Sequence, residues 1–252
     1  MKPLIVANWK CNPTTLTEAE KLFNEIRKKV KNIKKVETVI AAPFVYIPSL
    51  IKLGGNDLKV GAQNCFWEGE GAFTGEVSPQ MLKDLGIGYV ILGHSERRKY
   101  LGETDEVINK KLKKVLESGL SPILCVGDKS RESKEDIKEI DFQLEAAFQK
   151  LERVDLTKLV ITYEPIWAIS TTEGGAAATT EDAKEGVSCI RNNLNRLLGE
   201  YVAKKIRVIY GGSINSQNIS SFINAGIDGG LVGAASLDAE EFINIVKSAG
   251  KA

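Results

Sequence analysis

Leu159-Val160-Ile161-Thr162-Tyr163-Glu164-Pro165-Ile166-Trp167-Ala168-Ile169, running on through Ser170-Thr171-Thr172-Glu173-Gly174-Gly175 to Ala178, is the stretch around which the chain is organised. It opens as an apolar run and delivers one carboxylate, Glu164, at the end. Apolarity without alternation marks a strand buried on both faces, as in a parallel sheet. Pro165 then fixes φ and withholds a backbone donor, whereas Gly174-Gly175 admit conformations that other residues avoid. The segment between them reads as a flap with a stiff entry and a loose exit. A carboxylate beside an apolar flap that shuts water out is a candidate general base; a strand-ending Glu before a surface loop is the commoner case.

Outward from this stretch the same kind of run recurs at residues 4–7, 39–42, 58–62, 89–92, 123–126, 206–210 and 230–232, the third being the weakest. Helical patterns lie between them. Ala19, Leu22, Phe23, Ile26 and Val30 share one face, with Thr15 and Glu18 at capping-box spacing ahead. Ile108, Leu112, Val115 and Leu116 form a second stripe, followed by Gly119 as a stop signal. Ala183, Val187, Ile190, Leu194 and Leu197 form a third, and Asp238 with Glu241 opens a last helix through Phe242, Ile245 and Val246. Eight strands alternating with helices fit an α/β fold, either a doubly wound sheet or a closed (β/α)8 barrel. The chain has 252 residues and no Pro/Gly/Ser-rich linker. Barrels commonly use about 250 residues as one domain, so a single closed barrel over residues 1–252 is favoured.

The composition bounds the function. A chain 43% hydrophobic folds around its own core at this length, and a net charge of +1 with interleaved signs argues against nucleic-acid or membrane-surface binding. Cys11, Cys65, Cys125 and Cys189 form no CxxC pair and His94 is the only histidine, so no metal cluster is expected. Reduced thiols, a first apolar run too short for a signal peptide and no run of membrane-spanning length point to the cytoplasm. No Walker pattern occurs, and Gly69-Glu70-Gly71 follows no convincing βα turn, so no cofactor is read.

In a closed barrel the residues just after each strand share one rim, where such folds keep their chemistry. That rim receives Asn8-Trp9-Lys10, His94-Ser95-Glu96-Arg97, Glu164, Gly211-Gly212-Ser213 and Gly233-Ala234. A histidine at a helix start tends to stay neutral and donate one N–H, although a lone His is more often structural. Lys10, more commonly a solvated residue in such a sequence, offers here a fixed positive charge for an anion. Glycine-rich turns after the last two strands expose N–H groups that nest a phosphate. The set suits proton transfer on a small phosphorylated substrate.

Taken together, Ala7-Asn8-Trp9-Lys10, Gly61-Ala62-Gln63-Asn64, Gly71-Ala72-Phe73-Thr74-Gly75-Glu76, Gly93-His94-Ser95-Glu96-Arg97-Arg98, Leu124-Cys125-Val126-Gly127, Tyr163-Glu164-Pro165-Ile166-Trp167-Ala168, Tyr210-Gly211-Gly212-Ser213 and Leu231-Val232-Gly233 resemble the triosephosphate isomerase family, in its order and over nearly the whole chain. The family is itself a standard illustration of acid–base groups under a closing lid. The resemblance implies interconversion of dihydroxyacetone phosphate and D-glyceraldehyde 3-phosphate through an enediolate, in glycolysis and gluconeogenesis, with no cofactor or metal. It implies that Glu164 shuttles the proton, neutral His94 polarises the carbonyl oxygens, and Lys10 with Asn8 holds the developing charge. Glu96 would back Lys10, and the phosphate would sit on N–H groups of Ser170, Ser213, Gly233 and Ala234. Ile169 and Leu231 would clamp the base, with Cys125, Pro165 and Trp167 as supporting and lid residues. It also implies a homodimer in which the long loop 65–75 enters a neighbouring subunit, Thr74 reaching its active site and Glu76 pairing with Arg97.

Three positions depart from the family pattern. The lid, which usually reads Ile-Gly-Thr-Gly-Lys, is longer here, and Ser170 and Thr172 replace glycines. If closure needs positive φ there, the strain is on the order of 1–3 kcal/mol. Ala234 stands where a second glycine is common, and Asp128 replaces a Glu that would meet the lid tryptophan. All reacting groups are retained, so an active isomerase with altered lid kinetics is expected. Two further readings stand beside it. A sugar-phosphate epimerase on the same barrel lacks its second carboxylates and metal ligands here. A weakened relative kept as a scaffold draws support only from the lid.

Overall fold

The computed structural model describes residues 1–54, 58–130, 137–152, 154–168 and 178–252. Its strands are β1 (Leu4–Asn8), β2 (Glu37–Ala42), β3 (Lys59–Ala62), β4 (Tyr89–Leu92), β5 (Ser121–Val126), β6 (Val160–Tyr163), β7 (Arg207–Tyr210) and β8 (Gly229–Val232). Each pairs in parallel with the next, and β8 returns to β1 from Leu4↔Gly229 to Ala7↔Val232, closing an eight-stranded barrel ringed by helices. A doubly wound sheet is thereby excluded.

Alternation along the strands sorts the side chains. Leu4, Val6, Val39, Ala41, Ile91, Ile123, Cys125, Val160, Ile209 and Leu231 fill the barrel interior. Ile5, Ala7, Ile40, Leu92, Leu124, Ile161, Tyr163 and Val208 pack outward against the helices. Both faces are buried, which is why the runs read as continuous. A period of two, carried to the end of β1 and one step past β6, β7 and β8, puts Asn8, Glu164, Gly211 and Gly233 on the inward side of the upper rim.

The opposite end of the barrel is polar. Glu37 accepts from Lys59 Nζ (2.6 Å), the Tyr89 hydroxyl (2.7 Å) and Arg207 Nη1 (2.5 Å), and the Tyr89 hydroxyl accepts from Arg207 Nη2 (2.9 Å). One carboxylate thus ties β2, β3, β4 and β7 together. Burial opposes its charge, but the hydrogen bonds from Lys59, Arg207 and Tyr89 outweigh burial and hold Glu37 at about 2, against an ordinary 4.5.

The four helical stripes read from the sequence form helices Leu16–Val30, Asp105–Glu117, Thr180–Leu198 and Ala239–Ala249. Thr15 caps the first through the Glu18 N–H. The expected capping box is only half made, because the Glu18 carboxylate accepts from the Thr15 hydroxyl at 2.8 Å instead of from its backbone N–H. A full box stands at Thr179 and Asp182, which the sequence reading missed. The other helices, among them Ile47–Leu53, Pro79–Asp84, Ser95–Leu101, Lys138–Phe148 and Ile219–Asn224, show weaker or no stripes. The loop after β3 is held at its neck by the Phe66 N–H on the Val77 carbonyl (2.8 Å) and by Phe66 packed on Trp67 and Phe73. Its tip, residues 71–76, is wholly exposed.

Candidate active site

The upper rim encloses a cavity of about 180 Å³ lined by Asn8, Lys10, His94, Glu164, the Gly211–Ser213 turn, Leu231 and Gly233-Ala234. Glu164 is 2% exposed, and its N–H donates to the Val126 carbonyl at 2.8 Å. Its backbone is flanked so closely that a Cβ on Gly127 would lie 1.7 Å from the Glu164 carbonyl oxygen, and one on Gly211 would lie 3.1 Å from its Cγ. Glycine at 127 is therefore a packing requirement. The carboxylate is held by two groups. Oε2 accepts from the Ser95 N–H at 3.0 Å, and Oε1 lies 3.1 Å from His94 Nε2.

His94 sits beyond Gly93, whose left-handed φ of +68° turns the chain back over the rim. It caps helix Ser95–Leu101, with Nδ1 accepting from the Glu96 N–H at 3.2 Å. A ring nitrogen that accepts carries no proton, so the neutral imidazole bears its hydrogen on Nε2, facing Glu164. Lys10 has φ +53°, a conformation that costs a non-glycine residue on the order of 1–3 kcal/mol. Three contacts hold it: its N–H donates to Asn8 Oδ1 (3.1 Å), its carbonyl accepts from Gln63 Nε2 (2.9 Å), and Nζ donates to Glu96 Oε1 (2.5 Å). Gln63 also donates to the Ala41 carbonyl at 2.9 Å, so it pins the strained lysine to β2. No sequence signal gives Gln63 that task, because it works on backbone atoms far away in the chain.

The family model for triosephosphate isomerase matches residues 3–249 of this chain. The chain belongs to that family. It is similar to the triosephosphate isomerases of Caldanaerobacter subterraneus subsp. tengcongensis (46% identical over 250 residues, 97% of this chain and 98% of the relative) and Dictyoglomus thermophilum (46% over 252 residues, 98% and 99%). The same enzyme of Lactobacillus delbrueckii subsp. bulgaricus is 44% identical over 249 residues, covering 97% of each. As a member of the triosephosphate isomerase family, the chain is an isomerase that acts in glycolysis.

The remaining family positions surround this centre. Pro165 is buried, and Ile166–Ala168 form one tight turn at the lid entry. Asp128, fully buried, accepts from the Tyr163 hydroxyl (2.8 Å) and from Trp167 Nε1 (3.2 Å), and its carbonyl accepts from the Ile166 N–H (2.9 Å). The shorter aspartate thus still reaches the lid tryptophan. Ile169 and Ser170, with the rest of the lid to residue 177, lie outside the described residues.

Ser213 follows the Gly211-Gly212 turn, and its hydroxyl donates to the Ala168 carbonyl at 3.3 Å, linking the β7 turn to the lid entry. Ala234 opens the short turn Ala234–Leu237, whose first N–H groups have no helical acceptor. Among the described residues only Lys10 and Lys150 are non-glycines with positive φ, so the Ala234 methyl introduces no strain. Leu231 is 3% exposed on the cavity wall. Cys125 is buried in the barrel interior; burial, reinforced by the Glu164 charge, pushes its thiol well above the ordinary range. Thr74 and Glu76 lie on the exposed loop tip, and Arg97, expected to pair with Glu76 of another subunit, lies 3.4 Å from Glu103 of its own chain. Among the described residues there is no cluster of histidine, cysteine and carboxylate groups able to hold a metal ion, and no helix long and apolar enough to cross a membrane.

Proposed function

We propose that Glu164, His94 and Lys10 divide the interconversion of dihydroxyacetone phosphate and D-glyceraldehyde 3-phosphate among them. The supporting observation is the placement of His94, its Nδ1 accepting from the Glu96 N–H and its Nε2 turned into the cavity that Glu164 and Lys10 share. Substrate displaces the Glu164 carboxylate from the Ser95 N–H and from His94 Nε2, which frees the base and the donor together. Glu164 then takes the proton from C1 of the ketose while His94 Nε2–H donates to its carbonyl oxygen. Lys10 Nζ, tethered by Glu96, and the Asn8 amide stabilise the enediolate charge. The proton of the C1 hydroxyl passes to the C2 oxygen by way of His94 Nε2, and returning the abstracted proton to C2 then gives the aldose; the reverse path serves gluconeogenesis. N–H groups of Ser213, Gly233 and Ala234, with Ser170 from the lid, carry the phosphate. Leu231 on the cavity wall helps to exclude water from the base. Side chains move every proton, so the scheme calls for no cofactor.

A coupled assay on purified protein tests this reading. Turnover that falls by a factor on the order of 10² or more in Glu164→Ala supports it. Undiminished turnover in that variant ends it. An altered rate of lid closure, expected from the lid sequence, concerns residues outside those described and is read by relaxation measurements on the same protein.

The same proposal includes one domain acting in the cytoplasm as a homodimer. A second cavity of about 430 Å³, beside Lys10, Gln63 and Glu96, is open on the flank of the site. Exposed Val45, Phe73, Tyr100 and Leu101 offer apolar surface for such a contact. Thr74 from one protomer's loop tip fills its partner's cavity. Sedimentation at micromolar concentration separates a dimer, as expected, from a monomer, which would refute it.

A further inference from the structure

Between the catalytic strand and the lid lies a polar side chain that the reaction scheme does not use. Gln143 is on helix Lys138–Phe148, in a stripe with Ile140, Leu144 and Ala147, and is 5% exposed. Both ends of its amide are engaged by one residue: Oε1 accepts from the Gly127 N–H at 2.9 Å and Nε2 donates to the Gly127 carbonyl at 3.0 Å. Gly127 has no ladder partner on that side, so a buried amide supplies what a strand would otherwise supply.

Gly127 is the point at which the base and the lid entry converge. On one side its backbone abuts the Glu164 carbonyl, in a contact that leaves no room for a Cβ, and the preceding Val126 carbonyl takes the Glu164 N–H. On the other side, Asp128 takes the Tyr163 hydroxyl, Trp167 Nε1 and the Ile166 N–H. A displacement of Gly127 therefore moves the backbone of the general base and the anchor of the lid turn together. The phosphate-binding turns after β7 and β8 do not contact Gln143 through any of these bonds.

We propose that Gln143 is a positioning residue for the isomerase reaction: its paired hydrogen bonds to Gly127 set the placement of Glu164 and of the Asp128 anchor of the lid. This rests on Glu164 being the base. Misplacement of a reacting group by about 1 Å costs up to a factor of about 10² in rate. Gln143→Leu, which keeps the volume and removes both bonds, is expected to lower kcat by a factor on the order of 10 to 10² and to leave KM within about twofold, since the phosphate contacts are untouched. Gln143→Glu is the diagnostic variant. A neutral carboxylic acid can accept from the Gly127 N–H and donate to its carbonyl, whereas an ionised carboxylate faces that carbonyl with like charge. Its kcat should therefore recover towards that of the unsubstituted protein as pH falls, with an added ionisation that the unsubstituted protein lacks.

The experiment is a kcat and KM comparison across pH for the full chain, both variants and Glu164→Ala, with thermal unfolding recorded for each. A kcat loss at near-constant KM in Gln143→Leu, together with the extra ionisation in Gln143→Glu, supports the assignment. Values of kcat within about twofold of the unsubstituted protein in both variants overturn it. So does a pH profile of Gln143→Glu that matches the unsubstituted one. Full turnover in Glu164→Ala overturns the base assignment and this inference with it. Normal Gln143 variants beside an inactive Glu164→Ala overturn this inference alone.

Discussion

Glu37→Gln isolates the polar layer that closes the lower end of the barrel. Glu37 is held at about 2 by three hydrogen-bonded partners despite burial, against 4.5 for the free carboxyl. At roughly 1.36 kcal/mol per pH unit, that gap amounts to about 3 kcal/mol of stability at neutral pH. The sign follows from the depressed value: the stabilisation is complete above about pH 5 and is lost as pH falls through 4.5 towards 2. At pH 3 only somewhat more than 1 kcal/mol of it remains by the same linkage. About 3 kcal/mol is a sizeable share of the 5–15 kcal/mol that holds a domain folded, so it is measurable. The assay is urea unfolding of the unsubstituted protein and Glu37→Gln at a series of pH values from 7 to 2.5. The two curves should stand apart by about 3 kcal/mol at pH 7 and converge steadily below pH 4.5. A gap that stays constant over that range would refute the reasoning, because it would mean that the ionised carboxylate contributes nothing beyond its shape. Turnover at neutral pH should be unchanged in Glu37→Gln, since the substitution lies at the opposite end from the rim.

Two further expectations come from the site itself. Gly127→Ala places a methyl 1.7 Å from the Glu164 carbonyl oxygen, so the two backbones must separate; a kcat loss on the order of 10² and a destabilisation of about 1–3 kcal/mol should appear together, and a normally active, normally stable variant would contradict the packing described. Burial pushes the thiols of Cys65 and Cys189 up to about 12 and that of Cys125 well above its ordinary range, so iodoacetamide at pH 8 should leave all three unlabelled in the folded protein and label them after denaturation, read by mass spectrometry.

The barrel was legible because its strands are buried on both faces. Where a strand begins with a charged or hydroxyl residue, the apolar run starts too late: Glu37 and Ser121 open their strands but belong to the polar lower end. The third run is weak for the same reason, as Lys59 starts β3 in order to reach Glu37. Helix Ser95–Leu101 buries none of its residues and so leaves no stripe to read. At the site, Glu164, His94 and Lys10 were visible because each follows a strand. Gln63 also follows a strand and stands in a family segment, but its task was not legible because it acts on backbone atoms distant in sequence; Gln143 was not visible at all, since a glutamine inside an amphipathic pattern looks like any surface residue.

The pairing of β1 with β8 also has a consequence for how the protein is made. The N-terminal strand ends at Asn8, whereas its second neighbour ends at Val232. A ribosome moving at 5–20 residues per second takes roughly 10–45 s to travel between them. For that interval β1 is an open edge, with its backbone groups available to any extended segment nearby. A nascent chain stalled short of β8 therefore carries an adhesive edge that the finished protein does not possess, and that is where a chaperone or a second nascent chain would take hold.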